Sequence, residues 1–188
     1  MPKLLGISGS LRKNSYNTFL LHAAVELLPS GSSLEVATVH GIPLYNADEE
    51  AENGVPAPVE ALKNRIAEAD GLLIATPEYN NSMPGVLKNA IDWLSRPPQD
   101  IGRVFNGRPV VLMGASPGAK GTILSQTAWL QVWRTLGMRP WFETSLYVGE
   151  ASKVFDDTGK LTDAAIRKRL EKLLSGFVAF AEQNRPSS

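Results

Sequence analysis

Residues 4–18 read Leu-Leu-Gly-Ile-Ser-Gly-Ser-Leu-Arg-Lys-Asn-Ser-Tyr-Asn-Thr. An apolar strand, Leu4 to Ile7, runs into a turn that carries Ser8, Gly9, Ser10, Arg12, Ser15, Asn17 and Thr18. A helix follows, with Phe19, Leu20, Ala23, Ala24, Leu27 and Leu28 at helical spacing. Strand, polar loop and helix in this order make an anion pocket. The first helical turn offers unpaired backbone N–H groups and the positive end of the macrodipole. Ser and Asn also serve as ordinary N-caps, but five hydroxyl or amide side chains together with Arg12 exceed what a cap requires. No Gly-x-x-x-x-Gly-Lys-[Ser/Thr] run occurs in the chain, and no Gly-x-Gly-x-x-Gly follows this strand. The loop therefore suits a terminal phosphate monoester, whose oxygens hydroxyls can surround. Each hydrogen bond to such a charged group is worth roughly 1.5–3 kcal/mol.

Outward from this stretch, short apolar runs alternate with helical patterns. Strands are expected at 3–7, 34–39, 71–76, 109–114 and 145–148, and helices at 15–28, 56–69, 84–94, 122–136 and 162–183. Leu72-Leu73-Ile74-Ala75 and Val110-Val111-Leu112-Met113 are continuous apolar runs, as befits central strands buried on both faces. The alternation predicts an α/β chain: a doubly wound, five-stranded parallel sheet of order 2-1-3-4-5 with helices on both faces. One domain is expected over residues 1–183, with 184–188 as a disordered tail. The acidic, proline-bearing stretch Tyr45–Pro58 reads as a mobile surface loop. Phe155–Leu161 reads as a tight turn, after which Thr162 is expected to cap the last helix.

Composition narrows the chemistry. Lysine plus arginine and aspartate plus glutamate number 19 each, so bulk charge argues against a nucleic-acid or membrane-surface role. No apolar run of spanning length occurs, and the chain enters a core strand by Leu4, so a cytoplasmic location is the expectation. Cysteine is absent, which removes thiolate nucleophiles, cysteine zinc sites and iron–sulfur clusters. The two histidines, His22 and His40, sit in no paired catalytic motif, and no metal site is expected. No catalytic side chain stands out, so the chemistry is expected to belong to something the protein binds.

In doubly wound sheets ligands bind beyond the carboxyl ends of the strands. There the second loop reads Thr76-Pro77-Glu78-Tyr79-Asn80-Asn81-Ser82-Met83-Pro84-Gly85. Backbone groups of Glu78, Tyr79 and Asn80 can pair with the polar edge of a flat heteroaromatic ring, and Tyr79 offers an aromatic surface. Pro77 and Pro84 restrain the loop. The third loop, Gly114-Ala115-Ser116-Pro117-Gly118-Ala119-Lys120-Gly121-Thr122, is built of small residues that admit a planar ligand. The start of the helix after it is expected to aim N–H groups at a ring carbonyl, and Lys120 either counters developing negative charge or is simply solvated.

Together these loops resemble the NADPH-dependent FMN reductase family, the flavodoxin-like group that includes quinone, chromate and azo-dye reductases. The matching segments are Gly-Ser-Leu-Arg-Lys-Asn-Ser-Tyr-Asn at 9–17, the second loop at 76–85, and Leu-Lys-Asn-Ala-Ile-Asp-Trp-Leu-Ser-Arg at 87–96. The third loop departs from the family's frequent Gly-Gly followed by Arg, having Ala119-Lys120-Gly121-Thr122 instead. The resemblance implies that Ser10, Arg12, Ser15, Tyr16 and Asn17 hold the phosphate of FMN. It implies that Pro77, Glu78, Tyr79 and Asn80 line the isoalloxazine, with Ser116 and Gly118 approaching from the other side or edge. It also implies an NAD(P)H oxidoreductase. Hydride passes from the nicotinamide of NADPH or NADH to flavin N5, and then to a quinone, free flavin, azo or metal-ion acceptor. An electron carrier or redox-sensing module that binds flavin without turning over NAD(P)H is the alternative. A homodimer or homotetramer is implied, with Trp129, Trp133 and Trp141 as candidates for the contact; core packing explains them equally well. Lys88, Asp92 and Trp93 read as packing, capping or subunit contacts.

Overall fold

The computed structural model of the chain describes residues 1–185. The first half runs β1 (Lys3–Ser8), α1 (Tyr16–Glu26), β2 (Ser33–Thr38), α2 (Ala47–Asn53), α3 (Ala57–Glu68), β3 (Gly71–Ala75) and α4 (Gly85–Leu94). The second half runs α5 (Ile101–Val104), β4 (Pro109–Ala115), α6 (Ile123–Thr135), β5 (Arg139–Pro140), β6 (Leu146–Val148), α7 (Ala151–Val154) and α8 (Ala164–Gln183). The sheet order is β2-β1-β3-β4, and both β5 and β6 pair in parallel with β4. This is the expected 2-1-3-4-5 arrangement in one domain, except that two short strands share the fifth position. β5 pairs Arg139 and Pro140 with Pro109 and Val110, whereas β6 pairs Leu146–Val148 with Met113–Ala115. Between them Trp141 turns inward, its ring 6.1 Å from that of Phe177 on α8.

The pleat sends alternate residues to opposite faces. Leu73, Val111 and Met113 pack under α1 and α8, while Leu72, Ile74 and Val110 pack under α3, α4 and α6. Burying each such side chain contributes roughly 1.5–3 kcal/mol, which explains why these runs form the strands. Trp129, Trp133 and Trp141 are 0%, 0% and 6% exposed, so they are core residues and offer no contact surface. Trp93 is also buried, and its indole N–H donates to the Pro43 carbonyl at 3.0 Å. Lys88 pairs with Asp92 one turn along α4.

Three expectations are corrected. The stretch Tyr45–Pro58 is not a loose loop, because it contains α2. Asn46 caps that helix, and Asp48, Glu49 and Glu50 complement the positive end of its dipole. Glu50 accepts from Arg96 Nε at 2.9 Å and from the Tyr45 hydroxyl at 2.9 Å. The bond from Arg96 is the main cause that holds the Glu50 carboxyl below its ordinary value. Second, α8 is capped by Asp163, whose carboxylate accepts from the Ile166 N–H at 2.8 Å. The Thr162 hydroxyl donates to the Val154 carbonyl at 3.1 Å instead. Third, the tail is ordered at its start: Asn184 accepts from Arg139 and donates to the Phe180 carbonyl, and Arg185 lies 3.8 Å from Asp70. The rest of that expected tail, 186–188, lies outside the described residues. The Phe155–Leu161 turn closes as expected, with Phe155 bridged to Leu161.

Candidate functional site

The loops after β1, β3 and β4 meet in a cleft of about 330 Å³. From the first loop Ser10, Arg12, Ser15, Tyr16 and Asn17 line it; from the second, Pro77, Glu78 and Tyr79. The third contributes Ala115, Ser116 and Pro117. Asn80, Gly118 and Lys120 do not line the cleft, whereas Ala115 and Pro117, which were not singled out, do. Both lie beside Ser116, so the composition of the third loop was the available signal.

Close approach of the first two loops depends on Gly9. A Cβ there would come within 2.7 Å of Leu87 and 3.0 Å of Pro77. Ser10 and Ser15 are each 3% exposed, and their hydroxyls accept from the N–H groups of Arg12 and Asn17 at 3.2 Å. The second of these bonds caps α1. The Arg12 side chain is exposed, and among the described residues no carboxylate or carbonyl takes its guanidinium. Ser8 and Thr18 bond each other at 2.8 Å beneath the loop. The Tyr16 ring stacks on Phe155 at 5.9 Å.

Asn17 lines the cleft and also bridges two loops. Its carboxamide is spent on Ala115, donating to the carbonyl at 2.9 Å and accepting from the N–H at 3.0 Å. Asn17 thus fastens the start of α1 to the end of β4 and holds the first and third loops in register.

The second loop is tied down from below. Trp129 Nε1 donates to the Thr76 hydroxyl at 3.0 Å, and that hydroxyl donates to the Pro77 carbonyl at 3.0 Å. Ser125 Oγ lies 2.8 Å from the same oxygen, so a bond donated by Ser125 completes its set. Tyr79 and Ser82 exchange two backbone bonds around Asn80 and Asn81, which sit at φ 50° and 60°. This is a two-residue turn of the type that asparagine tolerates. It leaves the Tyr79 ring 47% exposed beside the cleft. The Tyr79 N–H is committed to Ser82, so of the three N–H groups expected to meet a ring, those of Glu78 and Asn80 keep no acceptor among the described residues.

The Glu78 side chain does not face a ligand. Its carboxylate accepts from the N–H groups of Leu124 at 2.8 Å and Ser125 at 3.0 Å, in the first turn of α6. These are the N–H groups expected to point at a ring carbonyl, and Glu78 has taken them. In the third loop the Ser116 hydroxyl donates to the Gly121 carbonyl at 2.7 Å. Gly121 is at φ 66°, and a Cβ there would lie 2.9 Å from the Tyr147 backbone, so glycine fits where a side chain would not. Among the described residues no cluster of His, Asp or Glu is placed to hold a metal ion.

The donor set has a clear character. A guanidinium without a protein partner among the described residues, two buried hydroxyls and the start of α1 line the cleft together with the Tyr79 ring and the small residues Ala115, Ser116 and Pro117. Comparison with known proteins agrees with it. Residues 2–153 match the model of the NADPH-dependent FMN reductase family. The chain is 45% identical over 175 residues to an NAD(P)H-dependent FMN reductase of Pseudomonas aeruginosa, covering 93% of this chain and 92% of that protein. It is 38% identical over 183 residues to a 2-hydroxy-1,4-benzoquinone reductase of Burkholderia sp., covering 97% and 98%. The solved structure of FerB, a flavoenzyme NAD(P)H:(acceptor) oxidoreductase from Paracoccus denitrificans, superposes with a TM-score of 0.87 at 31% identity, covering 98% of this chain and all of that one. With a family model spanning most of its length and relatives this similar end to end, the chain belongs to the NADPH-dependent FMN reductase family.

Proposed function

We propose that the three-loop cleft is the FMN site of this oxidoreductase, with the phosphate at the first loop and the ring against the second and third. The observation that carries this is the unpaired Arg12 guanidinium beside the buried hydroxyls of Ser10 and Ser15 at the start of α1. Such a set fits a phosphate monoester dianion. Asn17, Glu78 and Ser116 act behind it, each spending its side chain on protein partners that fix the three loops. Pro77 and Tyr79 supply apolar surface for a ring, and the free Glu78 N–H, on the part of the second loop that lines the cleft, supplies a donor for its polar edge.

FMN supplies the redox chemistry, taking two electrons from NADPH or NADH and passing them on. The protein orients it, keeps one face open to a second planar molecule and places backbone donors where negative charge grows. No side-chain acid or base is needed. Quinone-like acceptors suit the open cleft and agree with the reductase similarity, as does free flavin. The exposed apolar side chains Ile123, Leu124, Leu130 and Phe142 offer a surface for the proposed homodimer or homotetramer, which the buried tryptophans do not. No helix among the described residues is long and apolar enough to cross a membrane. With balanced charge this favours a cytoplasmic enzyme that binds neither nucleic acid nor lipid.

An absorbance spectrum of the purified protein followed by anaerobic NADPH tests the reading. Flavin bands that bleach within seconds are the expected result. Bands that persist would indicate a carrier or sensor, and a protein that neither contains nor takes up FMN would overturn the site.

A further inference from the structure

Helix α6 has no cap of its own. Thr122 precedes it, but the Thr122 hydroxyl makes no capping bond and instead accepts from Gln126 Nε2 at 3.0 Å. The orphan N–H groups of Leu124 and Ser125 are satisfied by Glu78, which lies 46 and 47 residues earlier in the chain. That carboxylate is the last of several ties between one short segment and one helix. Thr76 bonds Ser125 and Trp129, and Trp129 stacks on Trp133 at 4.9 Å. Residues 76–78 therefore move with α6 or not at all. Beyond Glu78 the chain turns at once through Tyr79–Ser82, which among the described residues is held by its own two backbone bonds. The direction in which this turn leaves the clamp is set at Glu78.

We infer that Glu78 is a positioning residue for the flavin ring: by clamping the second loop to the first turn of α6 it sets where the Glu78 backbone and the Tyr79 ring meet the isoalloxazine. This rests on the reading of the cleft as the FMN site. The side chain itself touches α6 and not the flavin, so its effect passes through backbone position. A charged cap also neutralises the positive end of α6, but position and charge have different consequences. Glu78→Asp keeps the charge and withdraws it by one methylene, out of reach of both N–H groups. Glu78→Gln keeps the reach and loses the charge.

The test is a fluorescence titration of apoprotein with FMN and, separately, with riboflavin, which has the ring and lacks the phosphate. Titrations are run at a temperature where circular dichroism shows each variant fully folded. Glu78→Asp is expected to weaken both flavins by the same factor, about tenfold, and to shift the bands of bound flavin. Glu78→Gln is expected to lose about threefold. Arg12→Ala serves as the contrast, weakening FMN and not riboflavin. A role confined to stabilising the fold would lower the melting temperature of Glu78→Asp and leave its flavin affinities and spectrum unchanged. Wild-type affinity for both flavins in Glu78→Asp overturns the inference whatever the glutamine variant does. If Glu78→Asp does not fold, wild-type affinities in Glu78→Gln overturn it equally. Failure of the wild-type protein to bind FMN sinks the site assignment instead, so the two failures are distinct.

Discussion

Arg12 brings a fixed positive charge to the cleft, and among the described residues nothing neutralises it. A guanidinium presents a planar fork of N–H donors that matches the oxygens of a phosphate. Arg12→Ala removes a charge-assisted bond worth roughly 1.5–3 kcal/mol and is expected to weaken FMN about ten- to hundredfold. Riboflavin, with no phosphate, is expected to bind the variant as it binds the wild type; isothermal titration with both ligands checks this. Ser10, Arg12 and Ser15 could be put forward from the sequence because their polar groups lie in their own side chains, a few residues apart, and the fold brings all three to one cleft. The roles of Asn17 and Glu78 could not, because each is defined by a partner far along the chain. Asn17 meets Ala115 and Glu78 meets Leu124, and nothing local in either neighbourhood announces it.

Among the elements, the central strands could be read directly, since burial on both faces leaves a continuous apolar run. Helix α2 could not. None of its residues is buried, so it has no apolar stripe, and its stability comes from the Asn46 cap and from Arg96 and Tyr45 gripping Glu50. A helix held mainly by one carboxylate is sensitive to acid. Glu50 is held below its ordinary value of 4.5 chiefly by the bond from Arg96. Its contribution to stability is therefore full above about that pH and is lost as pH falls through the depressed value. In thermal melts, Glu50→Gln is expected to be less stable than the wild type at pH 7. The gap should close steadily below pH 4.5, and a gap independent of pH would show that the charge is not what holds α2. The split of the fifth strand was equally hidden, since Pro140 and Trp141 act through the sheet edge and α8 rather than through any run of apolar residues.

In the whole molecule, the sheet carries two cores and leaves its polar loops at one end, where three of them must be held together for a ligand to fit. Asn17 joins the first to the third, and Glu78 joins the second to the helix that follows the third. A ligand spanning all three should therefore stabilise the entire fold rather than a local segment. At a free FMN concentration about one hundred times its Kd, linkage contributes roughly 2.7 kcal/mol, which for a chain of this size raises Tm by about 5–10 °C. Differential scanning of apo and loaded protein measures it, and a shift confined to the tryptophan signal would mean that the loops respond without the rest. The divided fifth strand has a consequence of another kind. A parallel sheet ends in unpaired backbone groups that can template a neighbouring chain into an aggregate. Here one border is broken into strands of two and three residues, with a proline in the first. On the opposite border Arg65 reaches over to donate to the Val36 carbonyl at 3.0 Å. The border made by β5 and β6 presents no long free ladder, so the same irregularity that obscured the last strand also guards that edge against templating a neighbouring chain.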